Sequence, residues 1–148
     1  VRIFKPKLVC VSDVRLAREL KSRLWPCTIK FLVGQAGLEE LAGNKSIDQL
    51  VLAISGSAAL RPLLSAIESG KVIALANKEA LVMAGSLIMR RALLNKALII
   101  PIDSEQSAIW QCLSGQDKPA IKSIYLTASG GPFRRSPSPL PKEVASSW

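Results

Sequence analysis

Six short runs rich in Val, Ile and Leu constrain the fold of this 148-residue chain more than any other feature: Leu8 to Val11, Thr28 to Val33, Leu50 to Ile54, Val72 to Ala76, Ala97 to Ile102 and Ile121 to Thr127. Runs that are apolar throughout, without alternation, suit strands covered on both faces, because neither face meets water. The intervals between them carry helical spacing. Leu16, Leu20 and Leu24 lie four apart behind the capping pair Ser12-Asp13, and Leu60, Leu64 and Ile67 precede Gly70, a helix-ending residue. Two more helices are expected, from Glu79 to about Leu94 and from Glu105 to about Leu113. This βαβ alternation predicts a doubly wound, Rossmann-like parallel α/β sheet.

Composition narrows the chemistry. Hydrophobic residues make up 49% of the chain and the net charge is +9, a balance that builds a core and excludes intrinsic disorder. There is no histidine. A Ser-His-Asp triad, an imidazole base and a His-ligated zinc site therefore cannot be assembled from these residues, which leaves carboxylates, lysines and backbone to do any chemistry. The cysteines Cys10, Cys27 and Cys112 sit in apolar contexts without close pairing, so buried thiols in a reducing compartment are expected. The longest uncharged stretch, Gln49 to Leu60, is far short of the roughly 20 apolar residues that cross a bilayer, so no membrane helix is expected. The basic residues are scattered and do not form one run with interleaved aromatics, which gives nucleic-acid binding little support. Trp110, following Ile109 on a helix, is expected in the core.

Ligands of α/β proteins gather in the turns at the carboxyl ends of the strands, and three such turns are unusual. In Ala76-Asn77-Lys78-Glu79, Asn77 can cap the following helix while Lys78 offers a cation suited to a phosphate or carboxylate; plain capping with solvated charges is the alternative. In Pro101-Ile102-Asp103-Ser104-Glu105, two carboxylates two residues apart suit Mg²⁺ or Mn²⁺, while Asp103 with Gln106 also fits a capping box. In Thr127 to Phe133, Ser129 and the adjacent Gly130-Gly131 suit a phosphate nest or a tight turn without function. A fourth stretch, Ile54-Ser55-Gly56-Ser57-Ala58, suits close approach by a ligand or another backbone, and close helix packing explains it equally well. The segment Arg134 to Pro141 reads as a surface connection.

Taken in order, LANKEALV at Leu75 to Val82, PIDSEQSAIWQCL at Pro101 to Leu113 and LTASGGPFR at Leu126 to Arg134 resemble the 1-deoxy-D-xylulose 5-phosphate reductoisomerase family. The similarity extends to FKPKLVCVSD near the start and to AISGSAALRPLLSAIESGK before the NKE turn. The resemblance implies an NADPH-dependent enzyme of non-mevalonate isoprenoid biosynthesis. Its reaction rearranges 1-deoxy-D-xylulose 5-phosphate and reduces the product to 2-C-methyl-D-erythritol 4-phosphate, with Mg²⁺ or Mn²⁺ as a second cofactor. It implies that Asn77 and Glu79 lie against the nicotinamide cofactor, that Lys78, Ser104, Glu105 and Ser129 contact substrate, and that Asp103 and Glu105 hold the metal. Lys78 and Glu105 are the implied catalytic pair. For the complete protein it implies a homodimer with no membrane or nucleic-acid partner, cytoplasmic or, if a leader precedes Val1, plastid.

Two departures from the family pattern stand out. Gln106 occupies the place where the family usually has His, which alters a hydrogen bond beside the metal ligands without altering the ligands. The chain also resembles only an internal section, so it is expected to be a fragment: the cofactor's glycine-rich turn is missing, in keeping with the absence of any GxGxxG, as are a third carboxylate ligand and further substrate residues. The expected division is 1–102, a partial NADPH-binding domain lacking its first βα unit, and 103–148, the start of an α+β catalytic domain. The reading from another class is a basic α/β module that binds nucleotide or nucleic acid without catalysis.

Overall fold

A computed structural model describes residues 1–26, 28–116 and 121–125. Five strands and five helices alternate along it: β1 (Leu8–Val11), α1 (Val14–Arg23), β2 (Lys30–Val33), α2 (Gly34–Ala42), β3 (Gln49–Leu52), α3 (Leu60–Glu68), β4 (Val72–Leu75), α4 (Glu79–Leu94), β5 (Leu98–Pro101) and α5 (Ser104–Leu113), with a 3₁₀ turn at Gly56–Ala59. All strand pairs are parallel. The parallel α/β architecture expected from the sequence is therefore present, with its strands in two sheets: β1 pairs with β2, and the order of the second sheet is β3-β4-β5. The chain divides into two units, Val1–Gln111 and Cys112–Trp148, and all five strands lie in the first.

Local chemistry sets the element ends. Asp13 caps α1 by accepting a hydrogen bond from Leu16 N at 3.0 Å, as the Ser12-Asp13 pair led one to expect. Gly70, after α3, adopts φ +66°, a left-handed conformation that glycine takes without steric cost. It reverses the chain into β4, whose Ile73 and Leu75 are buried against Leu63, Ala66 and Ile67 of α3 and Ala80, Ile88 and Ala92 of α4. Burial of this kind is the main driving force available to the fold, at roughly 25 cal/mol per Å² of apolar surface. Lys71, also buried, donates from Nζ to Asn44 O and so ties the start of β4 to the loop after α2.

Four expectations change. Residues 121–125, predicted to open a sixth strand, carry no strand assignment and are exposed. A strand exists only where a neighbour completes its ladder, and among the described residues this segment pairs with none. Trp110 is exposed, not in the core, because α5 buries none of its residues. Cys112, on the same helix, is exposed as well, and Cys10 is half-buried instead of enclosed. Cys27, the Thr127 to Phe133 turn with Ser129, and the Arg134 to Pro141 segment lie outside the described residues.

Candidate functional site

Because β3, β4 and β5 run parallel, the turns that follow them meet at one end of the sheet. Asn77, in the turn after β4, is buried. Its Nδ2 donates to Ile54 O at 2.8 Å and to Gly56 O at 3.2 Å, both in the turn after β3, and its Oδ1 accepts from Ala80 N at 2.8 Å. The side chain thus caps α4 and ties two neighbouring turns together. Gly56 takes φ +69° with no other atom within 4 Å of where a Cβ would sit, so glycine serves the backbone conformation there, and its carbonyl is held by the Asn77 side chain.

One residue further on, Lys78 immediately precedes α4, and its side chain crosses to the turn after β5. Its Nζ lies 3.1 Å from Asp103 Oδ2 and 3.2 Å from Glu105 Oε2. The contact with Glu105 is a hydrogen bond. The contact with Asp103 is an ion pair by distance, but its direction leaves Oδ2 without a hydrogen-bond partner although that oxygen is buried. The side chain of Asp103 is 18% exposed, that of Glu105 41% and that of Lys78 48%, so the aspartate is the enclosed member of the trio. Asp103, and after it Glu105, raise the pKa of Lys78 above the ordinary lysine value. Glu105 is held below the ordinary glutamate range first by its own main-chain N–H at the start of α5 and then by Lys78.

The capping-box alternative for Asp103 is not what its buried oxygen is used for. Oδ2 accepts no hydrogen bond, whereas Asn77 and Asp13 both accept one from a helix N–H. An enclosed carboxylate oxygen needs a partner, and the nearest one here is the Lys78 ammonium. Two hard oxygen donors converging on one cation, one of them unsatisfied, are the donor chemistry that suits Mg²⁺ or Mn²⁺. The described residues hold no group of three or more acidic, Cys or His side chains suited to a metal, so this pair alone does not complete a metal site. Ser104 and Glu79 are exposed beside the trio. Gln106 lines a small apolar pocket of about 20 Å³ with Leu75, Leu81, Ile99 and Pro101, against Asn77, Lys78 and Asp103.

The sequence model described as 1-deoxy-D-xylulose 5-phosphate reductoisomerase matches residues 1–85, and that of the same enzyme's C-terminal domain matches residues 99–146. The chain belongs to the 1-deoxy-D-xylulose 5-phosphate reductoisomerase family. A family member from Heliobacterium modesticaldum is 47% identical over 136 residues, covering 90% of this chain and 34% of its own length. One from Pelotomaculum thermopropionicum is 44% identical over 135 residues, covering 90% and 35%. Among solved structures, a reductoisomerase in complex with NADPH, fosmidomycin and magnesium superposes with a TM-score of 0.77 at 38% identity, covering 89% of this chain and 35% of its own. The Zymomonas mobilis reductoisomerase with NADPH gives 0.77 at 38%, covering 88% and 34%. The chain thus spans about a third of the length of the relatives it matches.

The structure brings Asn77, Lys78, Glu79, Asp103, Ser104 and Glu105 to neighbouring turns, while Ser129 lies outside the described residues. Sequence reasoning missed the partnership of Asn77 with the carbonyls of Ile54 and Gly56, 23 and 21 residues away. The only signal for it was the run of small residues.

Proposed function

We propose that this chain supplies the nicotinamide-side and metal-side turns of an NADPH-dependent 1-deoxy-D-xylulose 5-phosphate reductoisomerase. The observation that carries this reading is the meeting of Lys78 with Asp103 and Glu105 at one sheet end, with the buried Asp103 Oδ2 unsatisfied. Residues 1–102 form the part of the NADPH-binding domain present here, and 103–148 open the catalytic domain. Asp103 and Glu105 hold the divalent metal, which when bound polarises the ketose carbonyl and stabilises enolate-like charge. Lys78 places a cation beside the substrate, and Ser104 and Ser129 donate hydrogen bonds to it. Asn77 and Glu79 face the nicotinamide end of the cofactor, with Asn77 holding the turn in place. The carbon skeleton of the ketose phosphate rearranges to an aldehyde. NADPH, when bound, would supply the hydride that reduces this aldehyde, and with one proton the product would be 2-C-methyl-D-erythritol 4-phosphate.

Family membership favours this reading over a basic binding module without catalysis. We further propose that the complete enzyme is a homodimer working in the cytoplasm without nucleic-acid or membrane partners; no described helix is long and apolar enough to cross a membrane. The test uses the complete open reading frame that contains this chain. It should oxidise NADPH only with 1-deoxy-D-xylulose 5-phosphate and Mg²⁺ or Mn²⁺, and Lys78→Ala should lose orders of magnitude in turnover while remaining folded, since a half-exposed lysine adds little to the core. Normal turnover in folded Lys78→Ala protein would return the NKE turn to simple capping. The 148-residue chain alone should be silent, because two carboxylates without the remaining ligands do not assemble the site.

A further inference from the structure

Lys78 stands where a second cation at the same carboxylates would have to be. Its Nζ is 3.1 Å from Asp103 Oδ2 and 3.2 Å from Glu105 Oε2, while a hard divalent ion takes up a position about 2.0 to 2.6 Å from its oxygen ligands. A metal bound to both oxygens therefore falls within a few ångströms of the ammonium. Two cations drawn to the same two oxygens at these distances repel one another.

Building on the metal reading above, we propose that Lys78 is an internal competitor for the metal: its ammonium and the divalent ion exclude one another at Asp103 and Glu105, so metal entry displaces Lys78 and frees its Nζ to meet the substrate. Three observations give this exchange its physical shape. The ammonium meets Asp103 Oδ2 at 3.1 Å as an ion pair without a hydrogen bond, so the contact rests on charge, which a divalent ion also supplies. The lysine side chain is 48% exposed on a flexible stem, with solvent to move into. The backbone beneath it is pinned, because the preceding Asn77 is tied to Ile54 O, Gly56 O and Ala80 N. Only the lysine side chain has to move, and the turn keeps its place.

Competition of this kind is reciprocal: whatever Lys78 costs the metal, the metal costs the Lys78 contacts. The test measures Mn²⁺ binding alone, without substrate or NADPH, to the complete open reading frame by electron paramagnetic resonance of free Mn²⁺. Lys78→Met should bind Mn²⁺ about tenfold more tightly, and Lys78→Arg, which keeps the cation, should stay near wild type. In the wild-type protein, saturating Mn²⁺ should increase reductive methylation of Lys78, read by peptide mass spectrometry against exposed Lys45 as internal standard. Mn²⁺ binding by Lys78→Met that is no tighter than wild type overturns the proposal. If Lys78→Met does not fold, the labelling decides, and unchanged or reduced Lys78 methylation overturns the proposal in the same way. Asp103→Asn separates the two levels of inference. Equal Mn²⁺ binding by wild type and Asp103→Asn removes the metal reading and this proposal with it, whereas loss of binding in Asp103→Asn without tightening in Lys78→Met removes this proposal alone.

Discussion

Asn77 and Asp103 hold matching places in the fold, each in a turn between a strand of the β3-β4-β5 sheet and the helix that follows, and the two turns treat them in opposite ways. Asn77 is buried with both ends of its amide engaged, two donations to carbonyls of the neighbouring turn and one acceptance from α4. Asp103 is mostly enclosed with one carboxylate oxygen left unsatisfied and a cation 3.1 Å away. Both residue types are good helix caps. A polar side chain whose capacity is used up inside the protein holds the site's shape, and one whose capacity is left over is available to a ligand. Equivalent position therefore does not mean equivalent role.

The largest expected effect comes from Asp103→Asn in the complete open reading frame. Asparagine caps a helix about as well as aspartate, but it offers a neutral oxygen where a hard cation prefers a carboxylate. Melting should stay close to wild type while turnover falls by at least about a hundredfold, the upper end of what losing a group that merely orients a ligand costs, with partial recovery at high Mn²⁺. A Mn²⁺ titration of turnover beside thermal melts decides it, and an unchanged metal dependence would erase the contrast with Asn77.

Asn77→Ala should show the converse pattern. It removes the cap on Ala80 N and leaves Ile54 O and Gly56 O unpaired, at a cost of about 1–3 kcal/mol in stability. Denaturant unfolding measures that cost. If Asn77→Ala melted like wild type, the amide would not be clamping the turns.

The sequence made the scaffold legible because strands and helices here are local. Leu8 to Val11 is a strand with the predicted bounds, and the helix expected from Glu79 to about Leu94 behind an Asn77 cap is α4, which kinks at Ala84. It failed wherever the outcome depended on a distant partner. Ile121 to Tyr125 is apolar enough for a strand, yet a ladder needs a neighbour that no local pattern announces. Trp110 and Cys112 have core composition, but α5 buries no residue. The same limit holds at the site. The motifs pointed to Lys78, Asp103 and Glu105 as residues of interest, but a bridging ammonium joins positions 25 and 27 apart in the chain. Nor could spacing choose between cap and ligand for Asp103, since the choice rests on whether an oxygen is left unsatisfied after folding.

The smallest expected effect sharpens the comparison at Glu105, which shares features with both residues: like Asn77 it is served by a helix N–H, and like Asp103 it faces Lys78. Its pKa is lowered first by its own main-chain N–H and only then by Lys78. Lys78→Met should therefore raise the Glu105 pKa only part of the way back, leaving it below the ordinary glutamate value. The sign for stability follows from the direction of the shift: a carboxylate with a depressed folded pKa stabilises the fold above its unfolded value, and that contribution is lost as pH falls through the ordinary glutamate range toward the lowered one. For Lys78, whose pKa is raised, the contribution is complete below the ordinary lysine value and is lost only as pH rises through the higher folded one. The acid limb of a melting profile should thus shift slightly in Lys78→Met, and less than it does when Glu105 itself becomes Gln. Both groups are half-exposed, so solvent screening keeps these effects small. Carboxyl-carbon NMR titration of Glu105 in the two proteins reads the shift directly. A complete return to the ordinary value in Lys78→Met would show that the lysine, and not the start of α5, holds this carboxylate charged.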